Sequence, residues 1–155
     1  MVENARILIV DDDENIRKVL AMILEDEGYT VDQAETAKQA IEKTRRNFYN
    51  VALIDIRLPD MEGIELLTKI KDTVPRMRKI IVTGYPTLQN AIEAVNRGAD
   101  AYILKPFDVN KVLATIKEQL RKQEEERQYS QEKVAEFIET RVRELEAEKI
   151  AQKRP

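Results

Sequence analysis

Up to about residue 120, apolar positions along the chain alternate between short unbroken runs and stripes at helical spacing. Ile7-Leu8-Ile9-Val10 is a β-branched-rich run of the kind found in a strand buried on both faces. Ile16, Val19, Leu20, Ile23 and Leu24 then recur at helical spacing and stop before Gly28. Tyr29-Thr30-Val31 reads as a weaker strand, and Thr36 is placed to cap a helix carrying Ala37, Ala40 and Ile41. Val51-Ala52-Leu53-Ile54 is a second buried-type strand, followed by a loop with Pro59 and Gly63 and a helix marked by Ile64, Leu67 and Ile70. Lys79-Ile80-Ile81-Val82 predicts a further strand; Leu88, Ala91, Ile92 and Val95 predict a helix closed by Gly98. Ala101-Tyr102-Ile103-Leu104 is the last strand, and Val112, Leu113, Ile116 and Leu120 mark the core side of a final helix.

Five such strand–helix units predict an α/β domain: a five-stranded parallel sheet, doubly wound, with helices on both faces. In open sheets of this kind the ligand site lies beyond the carboxyl ends of the strands. The unusual polar residues sit there. Asp11 and Asp12 follow the first strand, Asp55 the third, Thr83 the fourth and Lys105 the fifth.

The chain contains neither Cys nor His, so disulfides, thiolate sites and imidazole chemistry are excluded, and a bound metal must take oxygen ligands. Net charge is −3, from 26 basic and 29 acidic residues, and no basic stripe of the sort that coats nucleic-acid phosphates is visible. Direct nucleic-acid binding by this chain is not expected. The N-terminus leads directly into an apolar strand without a secretory pattern, and no apolar stretch reaches bilayer-spanning length, so the expected location is cytoplasmic with no membrane partner.

Three aspartates converging from two neighbouring strand ends repel one another unless a cation neutralises them, and Mg²⁺ suits such a set. A carboxylate in that setting is a nucleophile toward phosphorus. Lys105 offers a flexible positive charge and Thr83 a hydroxyl for the remaining phosphoryl oxygens. Taken singly, each signal is ordinary: Asp-Asp after a strand is usually a turn or cap, and Asp13 itself is a natural helix cap. Together and in this order, they point to phosphoryl transfer.

The segments Ile7-Leu8-Ile9-Val10-Asp11-Asp12-Asp13, Asp55-Ile56-Arg57-Leu58-Pro59-Asp60-Met61-Glu62-Gly63, Val82-Thr83-Gly84-Tyr85 and Tyr102-Ile103-Leu104-Lys105-Pro106-Phe107 resemble the receiver domains of two-component response regulators over residues 4–122. The resemblance implies a chemotaxis-regulator-like, flavodoxin-like (βα)5 fold. It implies Asp55 as phospho-acceptor from a histidine kinase or phosphotransfer protein, with Lys105 and Thr83 assisting. Asp12 resembles a direct Mg²⁺ ligand, Asp11 an acidic neighbour acting through water, and the Arg57 carbonyl a further ligand. Thr83 and Tyr102 resemble the switch pair, and Pro106 the proline that follows a cis peptide. The resemblance further implies a signalling switch rather than an enzyme, whose face of helix four, strand five and helix five changes for dimerisation or partner binding. Lys111 and Lys117, with Glu93 and Asp100, are candidate charges for a pairing across that face.

Two other classes fit less well. A haloacid-dehalogenase-like phosphatase would match the Asp11/Asp13 spacing, but Asn15 stands where it needs Thr or Val, and its cap insertion has no room. A flavodoxin-like cofactor module would need a small, hydroxyl-rich phosphate loop where this chain has Asp-Asp-Asp.

Residues 123–155 differ in character from 1–122. Neither Gly nor Pro interrupts the chain between Pro106 and Pro155, and helix formers dominate, so the final helix is expected to run to about residue 153, roughly 65 Å at 1.5 Å per residue. Val134, Phe137, Ile138, Val142 and Leu145 return as an apolar stripe. The extension reads either as a dimeric coiled coil, as a linker to an output domain, or as a charged helix held by neighbouring ion pairs.

Overall fold

Each of the buried-type runs becomes a parallel strand in the computed structural model, which describes residues 4–152. The elements follow in strict alternation: β1 (Arg6–Val10), α1 (Glu14–Asp26), β2 (Thr30–Ala34), α2 (Ala37–Arg46), β3 (Val51–Asp55), α3 (Gly63–Lys69), β4 (Arg78–Thr83), α4 (Leu88–Asn96), β5 (Ala101–Leu104) and α5 (Val109–Gln152). The sheet order is β2-β1-β3-β4-β5. Pairing of Val10 with Ile54, Asp55 with Val82, and Thr83 with Leu104 aligns the carboxyl ends of the central strands along one edge.

Alternation along the strands sends successive side chains to opposite faces. Leu8, Val10, Ala52, Ile54 and Ile81 pack with Ala37 and Ala40 of α2, Ile64 and Leu67 of α3, and Ala94 of α4. Ile7, Ile9, Val51, Leu53, Ile80 and Val82 pack with Leu20, Ala21 and Leu24 of α1 and with Val112, Ile116 and Leu120 of α5. The two clusters make the doubly wound architecture that the sequence pattern predicts.

Local chemistry sets the helix ends. Asp13 accepts from the N–H groups of Asn15 and Ile16, and Thr36 and Thr87 cap α2 and α4 through Gln39 N–H and Asn90 N–H. Gly28, at φ 94°, ends the α1 turn in a conformation that L side chains avoid.

Three features depart from the sequence reading. In α4 the apolar positions Leu88, Ile92 and Val95 face outward, with Leu88 79% and Val95 69% exposed, and the helix rests on Ala94 instead. In α5 the polar residues Gln119 and Gln123 are buried. Gln123 donates to the carbonyls of Asn50 and Arg76 and accepts from the Asn50 amide, which fastens the helix beneath the sheet. Asp100 is not a free surface charge: it pairs with Arg76 and Arg78 and accepts from Lys79 N–H, while Glu93 pairs with Arg97 and Lys117 with Glu27. A charge pairing across the α4–β5–α5 face therefore cannot use Asp100.

Residues from Glu124 onward form a second structural unit, wholly helical to Gln152. Among the described residues no helix is long and apolar enough to cross a membrane.

Candidate functional site

The carboxyl end of the sheet gathers Asp11, Asp12, Asp13, Asp55, Arg57, Gly84, Tyr85 and Lys105 around a cleft of about 520 Å³. A larger groove of about 740 Å³ between α3 and α4 shares only Arg57 with it and holds none of these aspartates. The candidate site residues line the smaller one.

Asp11 is the most enclosed of the carboxylates. One of its oxygens accepts from Asp13 N–H at 2.9 Å and the other from Lys105 Nζ at 2.8 Å. Lys105 also reaches Asp55 at 3.3 Å, so one ammonium bridges the ends of β1 and β3 from the end of β5. Asp12, exposed on the next residue, presents its carboxylate to the same space. Asp11, Asp12 and Asp55 each bring an oxygen within 4.8 Å of the others. Three carboxylates face one lysine, an imbalance that a divalent cation with oxygen ligands corrects. The donor set fits Mg²⁺.

Burial pushes the Asp55 carboxyl above the usual carboxylate range, opposed by the Lys105 charge and reinforced by that of Asp11. For Lys105 burial works the other way, yet its hydrogen bond to Asp11 and the two carboxylate charges hold the ammonium above its ordinary pKa. The lysine is thus kept charged beside the acceptor candidate.

Thr83 is fully buried at the end of β4, and its hydroxyl oxygen accepts from Tyr85 N–H at 3.0 Å, tying it to the start of the β4–α4 loop. Tyr102 lies outside the cleft. Its ring packs against the α2–α3–α4 core, and its buried hydroxyl has no hydrogen-bond partner among the described residues. Arg57 lines the cleft rim with its guanidinium 3.8 Å over the Tyr85 ring. The Lys105–Pro106 peptide is cis, as is Val74–Pro75, which the sequence did not suggest.

The sequence reading missed two residues that shape the site. Arg17 of α1 donates to the Asp11 carbonyl at 2.7 Å and steadies the β1–α1 loop. Asp60, from the loop after β3, accepts from the N–H groups of Ala37 and Lys38 at 2.9 Å each and adds a second cap to α2. Desolvation works against the Asp60 charge, but these backbone donors outweigh it and hold its carboxyl below the usual range. Asp60→Ala is expected to cost about 1 kcal/mol at neutral pH. Because the folded-state pKa is lowered, that contribution is complete above the unfolded carboxylate's pKa of about 4 and disappears as pH falls through the lowered value. Urea midpoints of wild type and variant, measured from neutral to acid pH, should converge below about pH 4.

Comparison with known proteins agrees with this geometry. The family model of the response regulator receiver domain matches residues 7–117. The transcriptional regulatory protein ZraR of Klebsiella oxytoca is 39% identical over 118 residues, covering 76% of this chain and 27% of that protein. Response regulator ArlR of Staphylococcus saprophyticus is 37% identical over 120 residues, covering 76% and 53%. The chain thus spans between about a quarter and a half of the length of these curated relatives. A CheY-like receiver domain protein from Methanospirillum hungatei JF-1 superposes with TM-score 0.76 at 51% identity, over 79% of this chain and 98% of the other. The beryllofluoride-activated NtrC4 receiver domain, solved in solution as a dimer, superposes with TM-score 0.72 at 36% identity, over 76% and 98%.

Proposed function

Since the chain belongs to the response-regulator receiver family of two-component signalling, we propose that Asp55 is its phospho-acceptor and that Lys105 and Thr83 read the phosphoryl group. The observation that carries this reading is the bridge of Lys105 between Asp11 and Asp55, inside a cluster of three carboxylates at the sheet's carboxyl edge.

The donor is a phosphohistidine on a kinase or phosphotransfer protein. An oxygen of Asp55 attacks phosphorus while the bond from phosphorus to the donor nitrogen breaks, leaving a mixed anhydride on Asp55. Bound Mg²⁺, held by Asp12, Asp55 and the Arg57 carbonyl with Asp11 behind them, would offset the negative charge of carboxylates and phosphoryl oxygens. Lys105, already 3.3 Å from Asp55, donates to one phosphoryl oxygen. The chain changes its own state rather than turning over a substrate.

Thr83 couples this event to the surface. Its hydroxyl proton can point to a phosphoryl oxygen, and turning it there disturbs the hydrogen bond from Tyr85 N–H that fixes the β4–α4 loop. Tyr102 on β5, with its hydroxyl enclosed and unpartnered among the described residues, is poised to respond to that shift. The face affected carries the exposed Leu88, Ile92 and Val95 of α4 and Leu104 of β5, an apolar surface suited to a second receiver or an output partner. The dimeric state of the activated NtrC4 relative supports the first of these.

Incubation with acetyl phosphate and Mg²⁺ should produce a hydroxylamine-labile phosphoprotein band, absent when EDTA replaces Mg²⁺ and strongly reduced in Asp12→Ala. A band that is insensitive to EDTA would contradict the reading. Thr83→Ala should accept phosphate but lose any phosphorylation-dependent dimerisation seen by light scattering. If phosphorylation raises the self-association of Thr83→Ala as much as it raises that of wild type, the proposed coupling through Thr83 is wrong.

A further inference from the structure

The helical unit from Glu124 to Gln152 leaves Val134, Phe137, Ile138, Val142 and Leu145 exposed along one stripe, with Phe137 at 72% and Ile138 at 56%. Within the helix, Lys133 pairs with Glu136, Arg141 with Glu144 and Arg143 with Glu139. Such neighbour pairs contribute only a few tenths of a kcal/mol each. A helix with a large uncovered apolar stripe needs a partner to account for it.

The stripe has a heptad reading that identifies the partner. With Ile138 and Leu145 at the a positions, Val134 falls at d, Phe137 and Glu144 at g, and Val142 and Lys149 at e. In a parallel, in-register pair each g side chain meets the e side chain five residues further along the other helix. Phe137 then meets Val142 of the second copy, and Glu144 meets Lys149 of the second copy. Apolar faces apolar, and acid faces base, on both sides of the two-fold axis. An antiparallel pairing brings g against g and e against e, which sets Phe137 against Glu144 and Val142 against Lys149. That arrangement mismatches both flanks. Arg141 and Glu148, both at d, interrupt the seam; Glu148 stands at its last core position, and the Arg141 guanidinium is drawn toward the g flank by Glu144 at 2.9 Å, so its stem can lie along the seam with its charge at the rim.

We propose that residues 134–149 form a short parallel two-stranded coiled coil with a second copy of this chain. The surface is self-complementary by both hydrophobicity and charge, which a chance apolar stripe is not. It is independent of the phosphorylation site.

The absence of cysteine makes the test direct, because one introduced thiol per chain can link only two copies. In the full chain, without phosphoryl donor, Ile138→Cys should form a disulfide-linked dimer under mild oxidation at least about tenfold faster than Glu139→Cys, since only the seam position brings two Cα atoms within disulfide reach. Glu144→Lys should weaken dimerisation in sedimentation equilibrium, and Glu144→Lys combined with Lys149→Glu should restore it. Equal cross-linking rates at positions 138 and 139 would overturn the proposal, as would a double variant that dimerises no better than Glu144→Lys alone.

Discussion

Gly63→Ala is expected to destabilise the receiver by about 3 kcal/mol, a large loss for a single methyl group. A Cβ at this position would lie 2.0 Å from the Asp55 carbonyl oxygen, 2.9 Å from its carbonyl carbon and 3.0 Å from the Ile56 Cα. All three are backbone atoms, so no side chain can move aside. Gly63 is the first residue of α3, and its N–H donates to the Ile56 carbonyl at 2.6 Å, which draws the helix start against the end of β3. Relief of the clash must separate α3 from β3 at the residue that carries the proposed acceptor. The comparison is Gly98→Ala, where φ is 99° but nothing lies within 4 Å; only backbone strain of about 1 kcal/mol applies there. Urea denaturation of both variants separates the two effects. Equal costs would mean that the close approach at Gly63 is not what holds α3 in place.

The second large effect concerns Asp55→Asn. The amide keeps the shape of the carboxylate but lacks the charge and nucleophilicity needed to attack phosphorus, so the acyl phosphate should be abolished rather than slowed. The same substitution removes one of three carboxylates that bring oxygens within 4.8 Å of each other. Although Lys105 loses one of its two partners, it keeps Asp11 at 2.8 Å. Without Mg²⁺ the variant should therefore melt above wild type, and added Mg²⁺ should raise its melting temperature less than it raises that of wild type. A variant that melts below wild type without Mg²⁺ would show that the Lys105–Asp55 pair outweighs the repulsion.

What the sequence revealed, and what it did not, follows from the range of the interactions involved. The strands were legible because Ile7–Val10, Val51–Ile54 and Ile80–Val82 are buried on both faces and need apolar side chains at every position. Asp11 and Asp55 were legible because each directly follows such a run, and Lys105 because it follows the half-exposed edge strand β5; the parallel register then leaves them no other place to go. Their convergence is a consequence of topology. Spacing alone could not reveal that the α4 stripe points outward, because a period of 3.6 marks a stripe without saying what covers it.

The buried glutamines were hidden for a different reason. Gln123 looks like one more polar residue in a charged helix, and only the carbonyls of Asn50 and Arg76, which lie 73 and 47 residues away in sequence, make it a core residue. Asp60 likewise reads as a loop aspartate until α2 arrives with its unpaired N–H groups, 22 and 23 residues distant. Asp100 looked like a surface charge because the guanidinium groups of Arg76 and Arg78 converge on it only in the folded chain.

The most direct test of the account is to locate the phosphoryl group. After reaction with acetyl phosphate and Mg²⁺, borohydride reduction converts an aspartyl phosphate to homoserine, which peptide mass spectrometry assigns to one residue. Homoserine at position 55, and at no other aspartate, is the predicted result. Homoserine at Asp11, Asp12 or Asp13, or none at all in protein shown to bind Mg²⁺, would contradict the assignment of Asp55 as the acceptor.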